Sequence, residues 1–167
     1  MPIKLTYFDT PGLGEPVRLL LHISGLDWQD DRFGFDQWPR MKPYTRWGQV
    51  PVITFPDGSE VAQSKALCRY FGKLCSLDTS GQTLYPEDPF LALLVDEFLD
   101  LTDDISSYGR KTMDIENAAD QAAAQQSLVA ESGELYKLLE RIEQQVGLGH
   151  VVGDYTSLAD VWLFCYF

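Results

Sequence analysis

A predicted β-hairpin in the first half of the chain carries residue types suited to bind a small peptide. Two β-rich runs, 52–55 and 60–62, flank the Pro-Asp-Gly turn at 56–58. The hairpin begins at Val50–Pro51, where proline has no N–H for the strand ladder and a cis peptide bond costs little. A cis bond there would leave the backbone N–H and C=O of Val50 available to pair with an extended peptide.

The other end of the hairpin suits a carboxylate. A helix is predicted to start at Gln63 and Ser64, directly after the second strand. The first turn of a helix presents free N–H groups and a partial positive charge. The predicted chemistry of the segment is therefore recognition of a small, anionic peptide.

Three more elements precede this hairpin. Strands are predicted at 3–8 and 28–33, and a helix between them starts at Glu15 and stops at Gly25. A strand, helix, strand unit requires parallel pairing with a right-handed crossover. With a short helix or irregular turn at 36–42 and a helix at 64–74, the order predicts a small mixed sheet packed against helices.

The second half of the chain is predicted to be helical. Ser, Thr, Gly and Pro at 77–86 indicate a linker between a first domain, 1–76, and a second, 87–167. Helices are predicted at 87–111 and, as one long amphipathic helix, at 116–146. A last helix opens at Ser157, with Asp160 three residues later in a capping-box pattern. The fold class is α+β followed by all-α.

Acidic residues cluster on the predicted helix 87–111. Asp96, Asp100 and Asp103 fall within one arc, with Glu97 and Asp104 beside them, opposite an apolar face. Like charges at this spacing repel, so the face is either solvated or compensated by a cation.

Composition limits the function further. The 167 residues carry a formal net charge of −12 and a pI of about 4.4, which argues against nucleic-acid partners and anionic membranes. The three cysteines have no CxxC or metal-ligand spacing and are expected to be reduced thiols. No apolar run approaches the ~18 residues of a membrane span, so a cytoplasmic protein is expected.

These motifs, in this order, resemble a cytosolic glutathione transferase. The sequences KLTYF at 4–8, DQWPRMKP at 36–43 and DLTDDI at 100–105 are most similar to the sigma class, which includes prostaglandin D synthases and S-crystallins. The resemblance implies a thioredoxin-like first domain, glutathione as co-substrate, a small hydrophobic electrophile as second substrate, and a homodimer. Some members place a divalent ion among the acidic residues of the helix predicted at 87–111, but no metal is expected in this chain. Isomerase or peroxidase side activities are also implied.

The resemblance assigns roles to particular residues. Tyr7 would donate its hydroxyl proton to the glutathione sulfur and hold it as thiolate. Asp104 would reach the glutathione bound to the partner subunit. The remaining residues implied to bind glutathione are Trp38, Lys42, Gln49, Val50, Pro51, Gln63 and Ser64.

Alternatives remain open for several of these features. Tyr7 also fits an amphipathic strand end, Trp38 plain core packing and Lys42 a solvated loop. Leu13 stands where sigma-class enzymes usually carry an arginine, which keeps open a non-catalytic, crystallin-like relative. A thiol-disulfide oxidoreductase is set aside because no cysteine lies near the first helix.

The last predicted helix is apolar on every side. Residues 161–167 contain no charged side chain, and such a helix is normally buried all round. The family continues through further helices that cover it. We therefore expect the natural protein to be longer, with an acceptor site that is incomplete in these 167 residues.

Overall fold

A four-stranded mixed sheet forms the first half of the computed structural model, which describes residues 1–77, 81–146 and 149–166. The strands are β1 (Ile3–Phe8), β2 (Trp28–Phe33), β3 (Val52–Thr54) and β4 (Glu60–Ala62), in the order β2-β1-β3-β4. β1 pairs in parallel with β2 and antiparallel with β3, and β3 pairs antiparallel with β4. The predicted mixed sheet is confirmed.

Helix α1 (Glu15–Ser24) makes the crossover between β1 and β2. Pro16 lies in its first turn, where the missing N–H costs nothing, and Gly25 ends it with φ +66°. The face formed by Val17, Leu20 and Leu21 is fully buried against the sheet and α3, which is why this segment folds as a helix here.

Two further helices complete this half: α2 (Trp38–Met41) and α3 (Ser64–Gly72). Short 3₁₀ turns lie at Gly12–Gly14, Lys42–Tyr44 and Arg46–Gly48. The Val50–Pro51 peptide bond is cis, the isomer that the sequence allows at low cost.

The strand directions place several chain segments at one edge of the sheet. β1, β2 and β4 all end at this edge, and β3 begins there. Thr6 pairs with Val52, which in turn pairs with Ala62. The residues that follow Thr6, precede Val52 and follow Ala62 are therefore neighbours.

Four helices follow: α4 (Pro89–Met113), α5 (Ala118–Val129), α6 (Glu134–Val146) and α7 (Leu158–Tyr166). Asp88 caps α4 by accepting from the N–H groups of Phe90 and Leu91. Asn117 caps α5 in the same manner. Among the described residues, no helix is both long enough and apolar enough to cross a membrane.

The prediction of one helix over 116–146 is wrong, because the chain turns between α5 and α6. Ala130 is extended, with ψ 153°, and its carbonyl accepts from the Gly133 N–H at 2.6 Å. A Cβ on Gly133 would lie 2.2 Å from the Leu128 carbonyl oxygen, so only glycine fits this turn. The turn allows the α6 stripe to pack on α4.

The α7 helix joins the two halves of the fold. The predicted capping motif is present: the Ser157 N–H and hydroxyl both donate to Asp160 Oδ2 at 2.8 Å. Trp162 is 1% exposed and donates through Nε1 to Thr102 of α4 at 3.1 Å. α7 packs against α1 as well as α4, and this places it beside the end of β1. Phe164 is exposed, and Phe167 lies outside the described residues.

The predicted linker, 77–86, includes 78–80, which also lie outside the described residues. The domain boundaries at 76 and 87 therefore stay a prediction.

Candidate functional site

Tyr7 lies at the end of β1 with its side chain 7% exposed. Its Oη accepts a hydrogen bond from the backbone N–H of Leu13 at 3.0 Å. Because that bond occupies the oxygen as an acceptor, the hydroxyl proton can be donated to a second group. A hydrogen bond accepted by the oxygen also polarises the O–H bond and makes it a stronger donor.

Two glycines leave room for the Tyr7 ring. A Cβ on Gly12 would lie 2.7 Å from Tyr7 Oη, and a Cβ on Gly14 would lie 2.4 Å from Cδ1. The glycine-containing loop therefore packs directly on the phenol ring. This contact explains why glycine is needed at both positions.

A cleft of about 240 Å³ opens beside Tyr7, between the glycine loop and α7. Its other lining residues are Gly12, Leu13, Pro16, Trp162, Cys165 and Tyr166. Burial, followed by the negative charge of Glu15, raises the pKa of Cys165 to about 11, so this thiol stays protonated at neutral pH. The cleft is mainly apolar, with the Tyr7 hydroxyl at one wall.

The hairpin side of the site contains the predicted glutamine pair. Gln63 Nε2 donates to Gln49 Oε1 at 2.7 Å. Gln63 has φ +79°, an uncommon value for a residue with a Cβ, and it directly precedes α3. Ser64, the first residue of α3, is buried. The two glutamines thus lie together at the positive end of a helix.

Trp38 packs with two phenylalanines at the same edge of the sheet. Its ring centroid is 5.4 Å from that of Phe8 and 6.0 Å from that of Phe33. Core packing, one of the two interpretations of this residue, therefore accounts for one face of the indole. Lys42 is exposed, and its side chain lies beside Gly48. Both roles in ligand binding stay predictions.

Most of the predicted site residues follow or precede strand ends at the shared sheet edge. Tyr7 is the penultimate residue of β1, and the 49–51 segment precedes β3. The 63–64 segment follows β4, and Trp38 and Lys42 follow β2. The fold brings these segments together although up to 57 positions separate them in the sequence.

Asp104 does not contact this group. It is exposed on α4 and lines a larger cleft of about 930 Å³ between α4 and α6. Its predicted role requires a second subunit and stays a prediction.

The acidic face of α4 is compensated by the chain's own cations. Lys65 Nζ lies 2.7 Å from Asp103 and 3.4 Å from Asp100. Arg69 Nε lies 2.6 Å from Asp96. The face is also solvated, because the side chains of Asp100 and Asp103 are 71% exposed, so both possibilities that the sequence left open apply. Within 1–77, 81–146 and 149–166, no three His, Cys, Asp or Glu side chains are grouped to hold a metal ion.

Sequence reasoning missed Arg18. Its guanidinium lies 5.6 Å from the Tyr7 ring centroid and is almost fully buried. The available signal was its place beside Val17 and Leu21, on the apolar stripe of a helix where a charged residue is uncommon.

A thioredoxin-like four-stranded sheet is followed by a helical domain, and a tyrosine lies near the end of the first strand. This is the arrangement of the glutathione transferase fold. A solved structure of prostaglandin synthase D from Nilaparvata lugens matches with a TM-score of 0.83 and 28% identity, covering 99% of this chain and 79% of that one. A monomeric glutathione S-transferase from the hookworm Necator americanus matches with a TM-score of 0.76 and 26% identity, covering 98% and 78%.

Sequence comparison gives the family. Residues 14–74 match the family model of the glutathione S-transferase N-terminal domain. The chain is 35% identical over 166 residues to glutathione S-transferase P of Caenorhabditis elegans, covering 98% of this chain and 74% of that protein. The chain belongs to the glutathione S-transferase family, and the predictions of the fold and of the enzyme family are confirmed.

Proposed function

We propose that this chain binds glutathione at the shared sheet edge and transfers its thiolate to a small hydrophobic electrophile. The observation that carries the proposal is the Tyr7 hydroxyl, whose oxygen accepts from the Leu13 N–H and whose proton is therefore available to a sulfur in the adjacent cleft. Membership of the glutathione S-transferase family supports the identity of the thiol.

Activation of the thiol is the chemical task of the site. A free thiol with a pKa near 8.5 is only about 3% ionised at pH 7, and lowering the pKa by about two units makes most of it thiolate. The Tyr7 hydroxyl stabilises the thiolate by donating to sulfur, and the first turn of α1 adds a favourable dipole. The thiol proton passes to solvent. The thiolate then attacks the electrophilic carbon of a chlorinated aromatic acceptor, so that the C–S bond of the thioether forms, the C–Cl bond breaks and chloride leaves.

Glutathione fits the polarity of the sheet edge. The Val50 backbone would pair with the cysteinyl unit, next to the cis Pro51. Gln49, Gln63 and Ser64, at the positive end of α3, would hold the γ-glutamyl carboxylate. The indole N–H of Trp38 and the ammonium of Lys42 would hold the glycine carboxylate.

The second substrate would occupy the cleft beside Tyr7. Leu13, 47% exposed, gives this wall an apolar side chain in place of the usual sigma-class arginine. Resemblance to the sigma class and to a prostaglandin synthase supports an apolar electrophile, with isomerisation or peroxide reduction as side activities. The buried, free Cys68 and Cys75 fit a reducing, cytoplasmic setting.

Replacement of Tyr7 by phenylalanine tests the catalytic proposal. Tyr7→Phe removes one hydrogen bond to sulfur and keeps the ring, so kcat/KM with glutathione and a chlorinated aromatic acceptor should fall about ten- to a thousandfold. Glutathione binding, measured by calorimetry, should change only a few-fold.

Tyr70→Phe is the matched control. Tyr70 lies on α3 with its side chain 49% exposed and packs on Phe55 and Phe71. Its variant should keep parental activity. Parental activity in Tyr7→Phe would exclude Tyr7 as the activating group. Glutathione binding without any turnover in the parent would favour the crystallin-like alternative.

We also propose a homodimer in which Asp104 of each subunit reaches the glutathione ammonium in the other. Asp104 is exposed on α4, and among the described residues its carboxylate makes no hydrogen bond or ion pair within its own subunit. The monomeric relative shows that this assembly needs its own test.

Asp104→Asn should weaken glutathione binding by about threefold to tenfold, through loss of one charge-assisted bond, and leave the dimer intact. Asp114→Asn, at the end of the same helix, should change neither property. A monomeric mass by light scattering in the parent would overturn the cross-subunit role.

A further inference from the structure

Arg18 is a buried cation on α1 that the proposed reaction does not use directly. Its side chain is 6% exposed, and it shares its helix face with Val17 and Leu21. Removing a guanidinium from water is costly unless its N–H groups are bonded and its charge is paired. The hydrogen-bond and ion-pair partners of Arg18 therefore indicate its role in the fold.

Three of those partners are backbone carbonyls of the segment that follows Tyr7. Nη2 donates to the Phe8 carbonyl at 3.0 Å. Nη1 donates to the Thr10 carbonyl at 2.9 Å and approaches that of Pro11 at 3.5 Å. One planar side chain thus connects both ends of a four-residue segment.

This segment positions the donor to Tyr7. It leads into the 3₁₀ turn Gly12–Gly14, whose Leu13 N–H bonds to Tyr7 Oη. The Pro11 carbonyl also accepts from the Glu15 N–H at 3.0 Å, which joins the turn to α1. Movement of the segment would therefore move the Leu13 N–H away from the phenol oxygen.

Carboxylates balance the charge of Arg18. Nε lies 3.2 and 3.1 Å from the two oxygens of Asp30, and Nη1 lies 3.0 Å from Glu15. Asp30 is shared with Arg32, which also contacts Asp9. Two arginines among three carboxylates offset most of the local charge. The carbonyls that Arg18 holds are the contacts that connect it to the Leu13 turn.

We propose that Arg18 is a positioning residue for thiol activation: it fixes the 8–11 segment so that the Leu13 N–H stays bonded to Tyr7 Oη and the Tyr7 proton points to the sulfur. This inference rests on the proposed role of Tyr7. Arg18 itself does not touch the reacting atoms.

Arg18→Lys tests the inference, because lysine keeps the positive charge but cannot bridge the carbonyls of Phe8 and Thr10. The ultraviolet absorbance of the bound glutathione thiolate is titrated against pH. The midpoint should rise by about 0.5–1 pH unit, and kcat should fall about fivefold to tenfold, through weakening of one hydrogen-bond chain. KM for glutathione should change less than about twofold, because the hairpin is untouched.

A double mutant separates this inference from the role of Tyr7. Tyr7→Phe alone should raise the same midpoint. Adding Arg18→Lys to Tyr7→Phe should then raise it no further, because Arg18 acts through the hydroxyl. If Tyr7→Phe leaves the midpoint unchanged, the proposed role of Tyr7 is wrong. If Tyr7→Phe raises it and Arg18→Lys does not, only the positioning role is wrong.

Arg69→Lys is the matched control for lost stability. Arg69 is also paired with carboxylates, Asp96 and Asp100, but it lies on α3 away from the Tyr7 loop. Its variant should leave the midpoint unchanged. If the titration midpoint rose equally in Arg69→Lys, the cause would be a general loosening of the fold, and the inference would be overturned.

Asp30→Asn keeps the inference testable if Arg18→Lys does not fold. Asp30 orients the guanidinium through Nε, and asparagine preserves its shape while weakening that contact. The midpoint should rise in the same direction by a smaller amount. A midpoint equal to the parental value in this folded variant would overturn the positioning role.

Discussion

A methyl group at position 14 should displace the Tyr7 ring and inactivate the enzyme without removing any functional atom. Gly14 has φ −80° and ψ −29°, values that alanine adopts without strain. The effect of Gly14→Ala is therefore steric. Its Cβ would lie 2.4 Å from Tyr7 Cδ1 and 2.7 Å from Cγ, whereas ordinary contact begins near 3.4 Å.

The size of the displacement follows from these distances. The ring or the loop must retreat by about 1 Å, which would stretch the 3.0 Å bond from the Leu13 N–H to Tyr7 Oη beyond hydrogen-bonding distance. A misplacement of about 1 Å can cost on the order of a hundredfold in rate. Overpacking should also lower the free energy of unfolding by about 1–3 kcal/mol.

Steady-state kinetics with glutathione and a chlorinated aromatic acceptor measure the loss in rate, and urea denaturation measures the loss in free energy of unfolding. Gly109→Ala is the control, because Gly109 lies within α4 and a Cβ there would meet nothing within 4 Å. It should raise the free energy of unfolding by about 1 kcal/mol and leave kcat unchanged. Parental kcat in Gly14→Ala would show that the position of the Tyr7 ring does not control activity.

Two further predictions concern the thiols of Cys75 and Cys165 and the ion pairs of Lys65. Burial raises the pKa of Cys75 and Cys165 to about 11, so iodoacetamide at pH 8 should label them about a hundredfold more slowly in the folded protein than in urea, as read by mass spectrometry. Because the folded pKa exceeds the unfolded value, the associated stability is complete below about pH 9 and is lost as the pH rises toward 11. Equal labelling rates would contradict this burial. Lys65→Met should lower the free energy of unfolding by at most about 1 kcal/mol, because it leaves Asp103 without its cation and Asp100 with only the 3.8 Å contact to Arg69, and the loss should shrink in 1 M salt. A loss independent of salt would show that packing, and not charge, is the cause.

The sequence predicts elements well where a local signal marks both ends. α1 is bounded by Pro16 and Gly25, and both bounds agree with the structure. The break between α5 and α6 was missed because the Ala-rich run of α5 favours helix and leads directly into the apolar stripe of α6. The tight approach of Gly133 to the Leu128 carbonyl is visible only in three dimensions.

Pairing between residues far apart in the sequence explains another difference between the prediction and the structure. The acidic face of α4 was visible in the sequence, but its partners Lys65 and Arg69 lie about 30 positions earlier on another helix. Arg18 was missed for a different reason: its partners are backbone carbonyls of the preceding loop, which leave no signal in residue type. The parallel β1–β2 pair and the β3–β4 hairpin, by contrast, followed from the order of strands and helices, whereas the β1–β3 pairing that places the hairpin ends beside Tyr7 is seen only in the structure.

At position 13 the backbone and the side chain serve different purposes. The backbone supplies the contact to the phenol oxygen, while the side chain, 47% exposed, faces the cleft beside it. Any residue whose backbone adopts this turn can keep the contact, so the side chain can change without removing it. Position 13 is therefore a place where evolution, or a saturation library, can alter the choice of acceptor while the activating hydroxyl keeps its partner.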